Sequence, residues 1–250
     1  MNRRRLTLRC FFQVFLRTFV LQGSWNFERL QNLGVLFALA PALRQLYAGK
    51  ALQDAYRRNL AYFNTHPFLG APILGAMLNL ECARSEGRPE EIEVDDFRQM
   101  VMAPYAAIGD ALFWGGLRPF AAAIALFFSF KGSFWAPVIF LLIFNLPHLF
   151  FRTAGLWLGW VQGWKVTETV QRYNLPDVAI RLKEGTVVLL GGLCAYLTFQ
   201  LLRGEGVPIF CGLAVVPVVL LCGWATRKGL STLLLVWSAT AIAVALVRFF

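Results

Sequence analysis

Ile108-Gly109-Asp110-Ala111-Leu112-Phe113-Trp114-Gly115-Gly116-Leu117-Arg118-Pro119 sets a carboxylate and a guanidinium inside an otherwise apolar, glycine-broken stretch. Ionisable groups at membrane depth are costly, so they face a cavity or a partner rather than lipid. Two similar islands lie upstream: Gln22-Gly23-Ser24-Trp25-Asn26-Phe27-Glu28-Arg29 and Asn64-Thr65-His66-Pro67-Phe68. Both run directly into short apolar stretches. Together the three islands read as parts of a polar binding site inside a membrane protein.

The rest of the chain agrees with that setting. Of its 250 residues 58% are hydrophobic and 15% charged, and the mean hydropathy is +0.57. These values lie outside those of soluble domains of this length, and the expected class is an all-α, polytopic integral membrane protein. The net charge of +10, from 24 Lys and Arg against 14 acids, is assigned to cytoplasmic loops and lipid headgroups. The basic residues are scattered and form no stripe, which argues against a nucleic-acid partner. Cys10, Cys82, Cys194, Cys211 and Cys222 show no paired metal-type spacing and read as small buried hydrophobes. Met1-Asn2-Arg3-Arg4-Arg5 precedes an amphipathic aromatic stretch to about Val20, interrupted by Arg9 and Arg17. It reads as a retained interfacial segment rather than a signal peptide.

Four runs are long enough, or nearly so, to cross a hydrocarbon core that needs about 20 apolar residues: Phe134 to Phe151, Thr186 to Leu202, Val207 to Ala225 and Leu230 to Val247. Three earlier runs, Gly34 to Leu46, Pro67 to Leu80 and Val101 to Trp114, are shorter and carry internal Pro or Gly. Short interrupted segments beside polar residues point to re-entrant or broken helices of the kind transporters use at substrate sites. One membrane domain over 1–250 is the economical organisation: an amphipathic N-terminal segment (1–33), a broken or re-entrant helical core (34–130) and transmembrane helices (131–250). Residues 81 to 98 hold half of the 14 acids. They read as a solvated loop with a short helix after Pro89, or alternatively as a docking surface. Arg3, Arg4, Arg5 and Arg9 favour a cytoplasmic N-terminus.

Each island admits a functional and a structural reading. A helix starting at the N-cap Ser24 would carry Trp25, Arg29 and Asn32 on one face, with Glu28 near the favourable end of the dipole. An aromatic ring flanked by amide and charged groups suits a sugar; the same residues also suit an interfacial helix with Trp at headgroup level. Pro67 disfavours helix at His66, which makes Asn64 to Phe68 a turn at the mouth of a re-entrant element. Asp110, Trp114 and Arg118 align at i, i+4 and i+8 if the helix continues, but Asp110 and Arg118 would then lie about 12 Å apart along the axis. Each needs a different partner, and Gly115-Gly116 offers a break between them. The structural alternative pairs each charge with another segment. No phosphate-binding Gly-Lys loop, nucleophile elbow or two-His metal spacing is present in the sequence, so no catalytic residue, metal or cofactor is expected.

In these same residues the chain resembles the IID membrane subunit of the mannose/fructose/sorbose family of bacterial sugar phosphotransferase systems. The resemblance rests on Gln22 to Arg29; on Asn64-Thr65-His66-Pro67-Phe68 with Ala71-Pro72-Ile73-Leu74-Gly75; and on Gly109-Asp110, Phe113-Trp114-Gly115 and Arg118-Pro119. Phe144-Asn145-Leu146 and the glycine-rich stretch from Gly155 to Gly163 also fit, and the similarity covers roughly residues 10 to 195. It implies a multi-pass subunit of the bacterial cytoplasmic (inner) membrane. Such a subunit pairs with a IIC subunit to form the sugar-translocating unit, and the IIC-IID pairs assemble as trimers. The soluble IIB and IIA proteins then carry the phosphate and the phospho-histidines, so the subunit is not an enzyme by itself. On this resemblance Trp25, Asn26, Glu28, Asn64, Asp110, Trp114 and Arg118 contribute to sugar binding or gating. The alternative is a non-transporting scaffold that docks IIA and IIB, suggested by the altered stretch around Tyr105 and a short C-terminal part.

Overall fold

The computed structural model describes residues 6–249, with side chains described as far as Ala245. Arg3, Arg4 and Arg5, invoked above for orientation, lie outside the described residues. The described chain is mostly helical, and in place of strands it has two isolated bridges, Asn26 with Leu30 and Leu30 with Phe63. Two compact units divide it, one ending at Leu189 and the other beginning at Leu190.

In the first unit α1 (Leu8–Thr18) is capped by Thr7, whose hydroxyl accepts from the Cys10 N–H at 3.2 Å. It buries Cys10, Val14 and Thr18 and exposes Leu8, Phe12 and Leu16. That division is what the interfacial reading of the N-terminal stretch requires. The helix packs on α2 (Asn32–Leu46), which is followed by α3 (Gly49–Asn59). At the centre lies α4 (Gly70–Ser85), buried around almost its whole circumference. A helix apolar on all sides belongs inside a larger body, and small residues here let its neighbours come close. Pro72 falls in the first turn, where its missing N–H costs no helical bond. Gly75 is a contact rather than a break: a Cβ there would overlap the Leu156 carbonyl. At 15 and 16 residues, α2 and α4 are about 22–24 Å long, short of the roughly 30 Å hydrocarbon core.

The third short run belongs to something longer than expected. Helix α5 (Val94–Gly109), a π-helical stretch (Asp110–Leu117) and α6 (Arg118–Phe130) form one uninterrupted rod, long and apolar enough to cross a membrane. Gly115-Gly116 therefore widens the helix instead of ending it. Next, α7 (Ala136–Gln162) makes the most extensive pairing in the unit, against α4. Gly155 and Gly159 meet Pro72 there, and a Cβ at Gly159 would overlap the Pro72 carbonyl. Gly163, at φ +59°, turns the chain through a 3₁₀ segment into α8 (Val166–Arg172). The long α9 (Leu175–Gly204) completes a second apolar run, Ala136–Gly204.

The second unit holds the end of α9, a 3₁₀ segment (Ile209–Ala214), α10 (Val215–Arg227) and α11 (Thr232–Phe249). The run Ile209–Arg227 has the length and hydropathy of a span, while Thr232–Ala245 is apolar but shorter. Almost every large side chain in this unit is exposed. Cys194, Cys211 and Cys222 are exposed too, against the expectation of burial, whereas Cys10 and Cys82 are buried. Outward apolar side chains on a span are at home in lipid, so hydropathy alone predicts the membrane and not burial within the chain.

Candidate functional site

The first island is not a helix. Asn26 prevents one by satisfying the local backbone itself: its Oδ1 accepts from the N–H groups of Glu28 and Arg29, at 3.2 and 2.8 Å. The Asn26 and Leu30 backbones exchange two hydrogen bonds at 3.0 Å each, and Leu30 adopts φ +54°. This local competition of an Asn side chain with helix geometry overrides the Ser24 cap. Trp25 and Arg29 consequently lie exposed on a loop, while Asn32 is buried at the start of α2. The three do not share a helix face.

The loop is stitched to the second island. Gln31 N–H donates to the Phe63 carbonyl at 2.9 Å, and the Gln31 side chain exchanges two bonds with the Thr65 backbone, at 2.8 and 3.2 Å. Asn32 accepts from Asn26 at 2.8 Å and donates to the Leu60 carbonyl at 2.8 Å. Arg152, buried in α7, holds both ends of the arrangement through the carbonyls of Thr18 at 2.7 Å and Pro67 at 3.2 Å. As anticipated from Pro67, His66 sits in a turn, with Leu69 N–H bonded to its carbonyl at 3.0 Å, and α4 begins at Gly70.

His66 joins the second island to the third. Its ring stacks on Phe113 at 5.1 Å and lies 5.2 Å from Trp114, and it occupies the space a side chain at Gly109 would need. Phe68 extends the cluster to Phe113, Trp114 and His148, the last stacked at 3.8 Å. Burial, with the charge of His148 added, pushes His66 down to about 4. It is therefore a neutral packing ring at ordinary pH.

Of the candidate residues, Trp25, Glu28, Asn64, Asp110, Trp114 and Arg118 are exposed on the surface of the chain, and Asn26 is half-buried. Trp25 meets Phe27 edge-on at 5.0 Å, and Glu28 pairs with Arg29 at 3.2 Å. Both ends of the Asn26 side chain are spent on the loop. Arg118 lies 5.8 Å over the Trp114 ring. Asp110 has no ion-pair partner among the described residues and does not pair with Arg118. An unpaired carboxylate at the start of a π-helical stretch, inside a span, is the most telling single feature of the site.

The model of the PTS system mannose/fructose/sorbose family IID component matches residues 5–202. The chain belongs to that family. This IID chain is 43% identical over 157 residues to the mannose-specific EIID component of Escherichia coli (strain K12), a match covering 60% of this chain and 54% of that one; the chain thus spans about half the length of this relative. It is 29% identical over 267 residues to the fructose permease IID component of Bacillus subtilis (strain 168), covering 96% and 95%. It is 34% identical to the sorbose-specific EIID component of Klebsiella pneumoniae, covering 76% and 68%. Among solved structures, the cryo-EM structure of the mannose transporter ManYZ with microcin E492 contains a chain matching at TM-score 0.60 and 31% identity. A second structure, described as a membrane protein, matches at 0.74 and 30%. Each of these two matches covers 96% of both chains.

One cluster in this IID chain escaped the sequence reading. Glu81, read as the edge of a solvated loop, is fully buried at the end of α4. It accepts from Tyr47 Oη at 2.8 Å, Arg58 Nη2 at 2.7 Å, Arg58 Nε at 3.1 Å and Asn59 Nδ2 at 2.8 Å. Burial, then the charge and hydrogen bond of Glu81, push the Tyr47 phenol well above its ordinary range, which keeps it a donor. At the other edge of that loop Arg98 is also buried, donating a hydrogen bond to the Arg58 carbonyl at 2.8 Å and ion-paired with Asp95 at 2.9 Å. Residues 84–93 between them stay solvated, with Arg84 paired to Glu93 and Arg88 to Glu86. A lone carboxylate closing the apolar run 67–80, with Arg58 and Asn59 on the polar segment before that run, was the available signal. Arg152, alone in an apolar run, was another.

Proposed function

We propose that the chain is the membrane subunit of a phosphoenolpyruvate-dependent sugar phosphotransferase permease, acting on mannose-, fructose- or sorbose-type sugars. It is a single membrane domain over 1–250 in the bacterial cytoplasmic membrane. There it pairs with a IIC subunit, in trimers of such pairs, and passes sugar to IIB and IIA proteins that carry the phospho-histidines. The observation that carries this reading is Asp110, exposed and unpaired on an apolar span. Such a charge is sustained where a partner chain or a polar cavity receives it. The names of the relatives and the matching ManYZ chain support the same assignment.

On this reading Trp25, Glu28 and Asn64 offer a ring face and hydrogen-bonding groups to sugar hydroxyls, and Asn26 shapes the loop that presents them. Trp114 and Arg118 follow Asp110 along the same span. The test is uptake and phosphorylation of radiolabelled mannose, fructose, glucosamine and sorbose in cells carrying this chain with its cognate IIC, IIA and IIB proteins. Phosphoenolpyruvate-dependent accumulation of one sugar, lost in Asp110→Asn, is the expected result. No accumulation despite assembly with IIC would replace the permease by the regulatory scaffold.

A further inference from the structure

Between α1 and the last turn of α2 lies an open cavity of about 370 Å³ whose lining includes Arg9, Gln13, Arg17, Arg44 and Gln45. Arg9, Gln13 and Arg17 recur every four residues along one side of α1, and Arg44 and Gln45 come from the end of α2. None of the three arginines pairs with a carboxylate among the described residues. Glu28 and Asp54 are the only acids between residues 6 and 80, and Glu28 is bound to Arg29. Two of the arginines are held in place by other contacts. Arg17 donates to the Phe37 carbonyl at 3.0 Å and lies 4.5 Å over the Phe37 ring, and Arg44 Nε donates to Tyr56 Oη at 2.8 Å. Among the described residues their remaining guanidinium N–H groups, and those of Arg9, have no hydrogen-bond acceptor.

Beside this basic side runs an apolar one. Leu8, Phe12 and Leu16 each precede a member of the Arg9-Gln13-Arg17 row by one residue, about 100° around the helix, and are 84%, 58% and 49% exposed. We propose that the cavity binds the phosphodiester of an anionic phospholipid, whose acyl chains lie along Leu8, Phe12 and Leu16. Planar guanidinium groups take phosphate oxygens in pairs, and basic recesses at a membrane surface concentrate anionic headgroups. The adjoining apolar row is what makes the phosphate a lipid's, since inorganic phosphate has no use for it.

Native mass spectrometry of the full chain in neutral detergent, with equimolar phosphatidylglycerol and phosphatidylcholine of matched acyl chains, tests this. Selective retention of phosphatidylglycerol is expected, and Arg9→Gln/Arg44→Gln should lower that retention by about tenfold or more, as two headgroup-facing charges are removed. Leu8→Ser/Phe12→Ser should weaken it as well. Equal retention of both lipids by the unmodified chain overturns the proposal regardless of how the variants fold. Millimolar inorganic phosphate should leave the bound lipid in place; phosphate that displaces it and binds the lipid-free chain equally well would make the site one for free phosphate and overturn the lipid assignment.

Discussion

At the scale of single residues, the chain is governed by buried polar groups whose partners are backbone carbonyls or distant side chains. Glu81 is the strongest case, because four donors from Tyr47, Arg58 and Asn59 converge on a carboxylate with no exposure. Glu81→Ala leaves Arg58 without its counter-charge, and a broken buried pair costs about 3–5 kcal/mol. Thermal unfolding of the detergent-solubilised chain should show that loss, and Glu81→Met/Arg58→Met should recover part of it. His66 gives a pH dependence of definite sign. Its pKa is about 4 in the folded chain against roughly 6.5 when unfolded. The unfolded chain therefore binds more protons between those values. The contribution of neutral His66 is complete above about 6.5 and falls away toward pH 4, by roughly 3 kcal/mol in all. A melting series across that window should slope downward toward acid, and His66→Phe should make that slope shallower. The polar islands were legible as islands because charges in apolar runs are conspicuous. Their wiring was not, since Gln31, Asn32 and Arg152 act mainly through carbonyls that carry no residue-specific signal.

At the scale of elements, the decisive contact is α4 against α7, built on Pro72, Gly75, Gly155 and Gly159. Small residues let two backbones approach where no hydrophobic drive separates helix from lipid. Gly159→Ala would force a Cβ into the Pro72 carbonyl, at a cost of about 1–3 kcal/mol or more. A lower melting temperature and poorer recovery of monodisperse protein are expected, with Gly191→Ala, which meets nothing within 4 Å, unchanged. The sequence marks Gly75 as a helix interruption and the structure makes it a docking surface. Composition cannot separate the two, because a glycine suits either and only the opposing Leu156 carbonyl decides. The Ser24 helix failed for the complementary reason: Asn26 two residues later captures the N–H groups of Glu28 and Arg29 for a turn.

At the scale of the whole molecule, four apolar runs announced a polytopic membrane protein, and those runs fall in α7, in α9, in the 3₁₀ segment with α10, and in α11. The surface they leave outside is apolar over most of the second unit. Extraction of membranes with alkaline carbonate should leave the chain in the pellet, and release into the supernatant would contradict the spans. The part least legible was the rod from Val94 to Phe130, where Pro104, Gly109 and Gly115-Gly116 concealed a continuous helix. Its π-helical stretch also bears on how relatives of this chain should be aligned. A wide turn holds an extra residue without re-aiming the helix beyond it, so a single-residue gap between Gly109 and Arg118 leaves both flanking helices facing as before. The same gap inside α5 would swing every later side chain by about 100°. Asp110 thus stands where insertion and deletion are separated from orientation, and a homologue one residue shorter there can still present its flanking helices as this chain does.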